Sequence, residues 1–286
     1  MSASLTILGC GYLGSALASR ALAEGWTVSA LTRNSVTASK LRDLGVTQVV
    51  EANIEDESWH QSLSPEQDFV VNCVGSSTPE VEGYVTSYVE GQNSAMNWLK
   101  EGRVGSYVFT SSCSVYPQTG RKLVDENSSC AGVSERGGLL LAAEQISFPP
   151  PPSIQRSFIL RLGGIYGPGR HLMLEKVRNG QSFDGNADRI LNLIHRDDGV
   201  GAILACLLSG DSNLGRIYNV TDGNHSPRGQ IVEWLAGKLS LESPAFANDD
   251  EENTPNRKVS TNRIMEELEW SPTYSSFIEG YADLLT

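Results

Sequence analysis

"LTILGCGYLGSALASRALAEGWTVSALTRN", residues 5–34, decides how this chain is read. Leu5 to Leu8 is a short buried strand. "GCGYLG" then sets Gly9, Gly11 and Gly14 in a GxGxxG pattern. From Tyr12 to Glu24, Leu13, Leu17, Ala18, Ala21 and Leu22 recur at helical spacing. Gly25 closes that helix, and Thr27 to Thr32 is a second strand. Alone, GxGxxG is a weak signal. Between a strand and a helix, with another strand following, it reads as a phosphate cradle. The first glycine permits the tight turn, the second lets backbone approach a pyrophosphate, and the third lets helix pack on strand. The helix N-terminus then offers bare N–H groups and its positive dipole end. The expected dinucleotide contacts are Gly9, Gly11, Tyr12, Leu13 and Gly14. A glycine-rich turn without a ligand is the bland alternative.

The exit of the second strand bears on the choice of coenzyme. NAD-binding forms usually place Asp or Glu there, to accept from the ribose 2′-OH. This chain has "LTRN": Thr32 where the acid would be, then Arg33. A guanidinium fits a 2′-phosphate bidentately, so the expectation is NADP ahead of NAD. Two later stretches fit the same pocket. "EANIED" puts Asn53 and Ile54 after a third strand, and "VNCVGSS" ends a fourth with Val74, Gly75 and Ser76. Each is also readable as a plain turn.

Composition narrows the rest. The chain has 286 residues, 40% hydrophobic and 20% charged, enough for a full core. Its formal net charge of −12 repels phosphate backbones, so nucleic acid is not an expected partner. An anionic coenzyme must then be held by local groups against the global field. No apolar run approaches the roughly 20 residues of a membrane span. No targeting signal is evident at the start, and five cysteines lack a CxxC pair, so the expected setting is a reducing cytoplasm. Four histidines show no metal-ligand spacing, and no metal site is expected.

Further strands are expected over Val46–Glu51, Asp68–Val74, Ser106–Ser111 and Ser157–Leu162. Helices are expected up to Leu44, over Gly83–Glu101 and over Ser134–Phe148, where "PPPP" (149–152) forces a stop. Such alternation implies βαβ units and a doubly wound, mostly parallel α/β sheet covered on both faces. After Gly163 the alternation loosens. Residues 1–165 are expected to form the dinucleotide-binding domain and 166–286 a smaller α/β lobe with pieces returning to the sheet. Short strands are expected at Arg189–Ile194 and Arg216–Val220, and Asn248–Lys258 as an exposed polar connection.

Several stretches together resemble the extended and atypical short-chain dehydrogenase/reductase superfamily, which includes NAD-dependent sugar epimerases and dehydratases. They are the glycine loop, "FTSSCSVYP" (109–117), "ILRLGGIYGPGR" (159–170), "NLIHRDDGVGAIL" (192–204) and "LEWSPTYSSFIEGY" (268–281). The resemblance implies a Rossmann domain with a C-terminal lobe and a small polar or sugar-derived substrate over the nicotinamide. Family chemistry uses a Ser or Thr after the fifth strand, and a Tyr and Lys four apart on the next helix. The serine matches Ser112. Aligning the family's "KLxxE" on "LLAAE" (140–144) puts Lys at Leu140 and Tyr at Arg136. Leucine carries no charge, and arginine stays protonated, so it does not cycle as a general acid. No YxxxK occurs between Tyr116 and Leu162. "SERGGLLLAAEQ" resembles an atypical branch in which this Arg replaces the Tyr.

From that likeness, Ser112 is the candidate to orient a substrate oxygen, with Tyr116 as a replacement phenol. Arg136, Tyr166, Arg170 and Arg189 are candidate substrate contacts, the last two as clamps on a diphosphate. His195 with Asp197 and Asp198 reads as structural, and Cys73 and Cys113 as packing residues. Relatives often dimerise through the two long helices, so a homodimer is one expectation and a monomer stays open. Two functions remain: an NAD(P)-dependent reductase or epimerase-like enzyme, and a non-catalytic NAD(P) sensor.

Overall fold

A computed structural model of the chain describes residues 2–210, 215–247 and 254–285. The central sheet has seven strands: β1 (Ser4–Leu8), β2 (Thr27–Thr32), β3 (Gln48–Glu51), β4 (Gln67–Asn72), β5 (Val104–Ser112), β6 (Ile154–Leu162) and β7 (Arg216–Val220). Their order is β7-β6-β5-β4-β1-β2-β3. This is the parallel, doubly wound Rossmann arrangement, whose order reverses between β1 and β4. Buried β-branched and aliphatic side chains explain the strands. Leu5, Ile7, Leu8, Val28, Val70, Val71 and Val108 are at most 1% exposed, as strands covered on both faces require.

Between them run α1 (Tyr12–Ala23), α2 (Ser35–Leu44), α3 (Val81–Lys100), α4 (Glu135–Ser147) and α5 (Arg196–Leu208). The expected Gly83–Glu101 helix is present as α3, with one difference. Its middle, Val85–Glu90, is a π-helix. Trp59, Trp98, Tyr107 and Phe109 fill the core beside it. Each such burial contributes roughly 1.5–3 kcal/mol.

The chain separates into two compact units whose segments interleave along the sequence. The first comprises Met1–Val115, Val133–Arg161 and Val200–Tyr218, and the second Tyr116–Gly132, Leu162–Gly199 and Asn219–Thr286. In the second unit three short parallel pairs form: Gly164–Tyr166 with Leu193–His195, Phe183–Asp184 with Phe246–Ala247, and Lys122–Val124 with Arg257–Val259. Its core gathers Tyr166, Phe183, Ile231, Leu235, Phe277 and Tyr281.

Two sequence expectations need correcting here. The strand expected at Arg189–Ile194 is shorter and later, because Ile190 makes only a single bridge, to Pro227. The polar connection expected over Asn248–Lys258 ends in a strand, since Arg257 and Lys258 pair with Lys122 and Leu123. Residues 248–253 of that stretch lie outside the described residues. No helix among the described residues is long and apolar enough to cross a membrane.

Candidate functional site

The first unit holds the glycine loop, and its geometry matches a phosphate cradle. Gly9 sits at φ +75°, and a Cβ there would lie 2.6 Å from Val74 Cα. The β1–α1 turn therefore lies against the exit of β4, and a side chain at this position would fill the turn. A Cβ at Gly14 would lie 3.1 Å from Ile7 Cγ2 and 3.2 Å from the Gly9 carbonyl, so this glycine lets α1 pack on β1. Gly11 is exposed and caps α1 with no side-chain hydrogen bond, and no acid occupies the first turn. By contrast, Asn34 Oδ1 caps α2 by accepting from the Thr37 N–H at 2.9 Å. The first turn of α1 thus has no side-chain cap, and it lies at the C-terminal edge of the sheet, where the strand order reverses. Of the cradle residues, Tyr12 is half-buried and Leu13 is buried against the core.

The loop after β4 forms the neighbouring wall. Asn72 Oδ1 accepts the Val74 N–H at 3.0 Å, and Asn72 Nδ2 donates to Gln92 Oε1 at 2.7 Å. Gln92 Nε2 donates in turn to Tyr107 Oη and Ser147 Oγ, both at 2.7 Å. This buried network, paired across β4, β5, α3 and α4, fixes the backbone leading into Val74 and Gly75. Gly75 is exposed with open space where a Cβ would be, and Ser76 Oγ donates to the Thr78 carbonyl. Asn53 is exposed and its amide donates to Asp56 at 3.3 Å, while Ile54 is buried and its carbonyl accepts from the Trp59 indole.

Two arginines far apart in sequence meet this same loop. Arg33 Nη2 donates to the Ser77 carbonyl at 3.3 Å. Arg136 Nη1 donates to the Pro79 carbonyl at 3.1 Å, with its guanidinium 5.9 Å from the centre of the Tyr84 ring. Both are exposed. Ser77 belongs to the small-residue end of "VNCVGSS", whereas Thr78 and Pro79 gave no signal in the sequence.

Ser112 ends β5 half-buried, and its Oγ accepts the Ser114 N–H at 3.1 Å, which leaves the hydroxyl proton to donate elsewhere. One residue earlier, Ser111 Oγ donates to Glu144 Oε1 at 2.6 Å. Glu144 is also bound by Arg161, through Nη2 to Oε2 at 2.6 Å and Nε to Oε1 at 3.0 Å, with both side chains buried. Glu144 in "LLAAE" and Arg161 in "ILRLGG" lie in separate stretches of the sequence and meet only in the fold. A single sequence offers no signal for such a pair. Leu140, one turn before Glu144, is 2% exposed.

The remaining candidates lie in the second unit. Tyr116 has no exposed surface, and its hydroxyl donates to Asn219 Oδ1 at 2.8 Å. That geometry is a packing residue's and gives no support to Tyr116 as the replacement phenol. Tyr166 is 4% exposed, stacked on Tyr281 and edge-on to His195, inside the core rather than at a surface. Arg170 and Arg189 are exposed. Asp198 accepts the N–H groups of Thr273 at 2.7 Å and Tyr274 at 3.0 Å, pinning the C-terminal segment of this unit. Burial pushes the thiols of Cys10 (to about 12) and Cys73 upward, so neither is a nucleophile at neutral pH. Among the described residues no group of three or more His, Cys, Asp or Glu side chains is placed to hold a metal ion.

Comparison with known proteins places this geometry in a lineage. A model of the NAD dependent epimerase/dehydratase family matches residues 5–221. Protein YeeZ of Escherichia coli K12 is 30% identical over 254 residues, 85% of this chain and 86% of YeeZ. A Methylobacillus flagellatus protein named for the same family is 29% identical, with TM-score 0.80, covering 100% of this chain and 98% of that one. DesIV, a dTDP-glucose 4,6-dehydratase of Streptomyces venezuelae solved with NAD and TYD bound, superposes with TM-score 0.85. It covers 99% of this chain and 95% of its own, and at 19% identity the likeness is one of fold. The glycine cradle lies inside the matched region, and the chain belongs to the NAD dependent epimerase/dehydratase family.

Proposed function

We propose that the chain is an NAD(P)-dependent oxidoreductase or epimerase/dehydratase-like enzyme that prefers NADP and acts on a small polar or sugar-derived substrate. The observation that carries this reading is the uncapped start of α1 with the Arg33 guanidinium held beside the same wall. Gly9, Gly11 and the first-turn amides would take the pyrophosphate, and Arg33 a 2′-phosphate. Once bound, the coenzyme supplies hydride exchange with a substrate carbon. The sugar-derived substrate is supported by DesIV, whose fold this chain shares and whose name gives dTDP-glucose as substrate.

The chain's own groups divide the remaining work. Ser112 donates its free hydroxyl proton to a substrate oxygen and so orients it. Arg136 stays charged, attracts an anionic or polar substrate group, and moves no proton. Leu140, 2% exposed, keeps water out of the helix face where the resemblance puts a lysine. The proton then comes from water or the substrate itself. General acid–base catalysis is typically worth 10²–10⁴-fold, so turnover slower by about that factor than in YxxxK relatives is expected.

A second reading, a coenzyme sensor without turnover, is favoured by Arg136 and Leu140 standing where the resemblance puts Tyr and Lys. The test separates them. The protein is mixed with NADPH and a panel of carbonyls and nucleotide sugars, and nicotinamide absorbance is followed. Turnover lost in Ser112→Ala supports the enzyme. Tight NADPH binding with no turnover across the panel supports the sensor.

A further inference from the structure

A cavity of about 750 Å³ lies wholly in the second unit, on the paired strands Lys122–Val124 and Arg257–Val259. None of the residues assigned above to coenzyme or substrate lines it. Lys258 and Leu123 are register partners in that pair, so their side chains stand together on one face. The Lys258 side chain has no ion pair or hydrogen bond among the described residues, although the chain carries a net charge of −12. His225, also in the wall, has no hydrogen-bond partner for its ring among the described residues, and sits close enough to Lys258 to feel its charge. Asp222 is 5% exposed and holds one local contact, accepting the Asn224 N–H at 2.9 Å. Burial lifts its carboxyl to about 8, which disfavours its anion. Arg121 adds a guanidinium at the rim, paired with Asp188 at 3.1 Å. Leu123 and Met265 complete the wall while 67% and 40% exposed.

This combination has a chemical meaning. The size falls within the roughly 300–1,000 Å³ typical of small-molecule sites, which join apolar walls to a few placed polar groups. The pocket's lining includes Lys258, a cation without an ion pair among the described residues, and Asp222 is its one carboxyl side chain, its anion disfavoured by burial. We propose that this pocket binds a small organic anion, its carboxylate or phosphate on Lys258 and its apolar body against Leu123 and Met265. The site is separate from the coenzyme cradle and does not depend on it.

The test uses the full chain without coenzyme. Benzoate, phenyl phosphate and benzylamine are titrated while the His225 ring resonances are followed by NMR. The expected result is a saturable shift with benzoate or phenyl phosphate, whichever is stronger naming the head group, and none with benzylamine. Lys258→Met should weaken the anion about 10-fold or more, and Lys258→Arg should keep it within about 3-fold. Leu123→Ser, on an exposed side chain, should weaken phenyl phosphate but not inorganic phosphate. Circular dichroism checks that each variant is folded. No saturable shift with either anion, unchanged affinity in Lys258→Met, or preference for benzylamine overturns the proposal. Failure here leaves NADPH binding untouched, so the two readings fall separately.

Discussion

At the scale of single residues, Arg33 carries the coenzyme preference. It is exposed, and among the described residues its side chain is hydrogen-bonded only to the Ser77 carbonyl, so replacing it disturbs little else. Arg33→Ala is expected to weaken NADPH about 10-fold or more while changing NADH less than about 3-fold. Equal loss of both, measured by fluorescence titration, would remove the arginine from the 2′-phosphate. Asp222 gives a pH signature. Its folded pKa of about 8 stands above the ordinary 3.8, so between those values the unfolded chain has released a proton that the folded chain keeps. Its contribution to stability is therefore whole at low pH and falls away as pH rises towards 8. Asp222→Asn lacks this slope. Its stability relative to the parent should rise between pH 5 and pH 8 by about 1 kcal/mol or more, read from urea midpoints. Parallel curves would show that the carboxyl titrates normally.

At the scale of elements, two contacts decide how the first unit is held. Gly9 needs φ +75° and has no room for a Cβ beside Val74. Gly9→Ala is expected to cost about 2–4 kcal/mol through backbone strain and overpacking, and to abolish coenzyme binding before it abolishes folding. The Glu144–Arg161 pair joins α4 to β6 and, through Ser111, to the end of β5 next to Ser112. Removing one partner leaves a buried charge alone, so Glu144→Leu or Arg161→Met should each cost about 3–5 kcal/mol. The double variant should recover most of that loss in a thermodynamic cycle. Additive losses would show the pair to be incidental. The elements themselves were largely legible. Glycines at a strand–helix junction and runs of buried aliphatics read directly as β1, α1 and β2, because local geometry requires them. The Lys122–Val124 strand was not legible, since three residues with two charged or polar neighbours show no periodicity and take their strand form from Arg257–Val259.

At the scale of the whole molecule, the reading of a doubly wound fold came from alternation, and the seven-stranded order agrees with it. The candidate site was legible in part. The cradle is contiguous in sequence, so Gly9, Gly11 and Gly14 announced themselves. The approach of Arg33 and Arg136 to one loop is made by the fold, across β2, β4 and α4, and no linear pattern carries it. The same holds for Tyr116, whose motif suggested chemistry and whose surroundings make it a packing residue. The central claim is that a dinucleotide's phosphates rest on the bare start of α1. It is tested most directly by isothermal titration calorimetry of the intact chain with NADPH and with NADP in its oxidised form. The account predicts saturable 1:1 binding that is lost in Gly9→Ala while the fold persists. No heat with either form, nor with NAD or NADH, from correctly folded protein would contradict it.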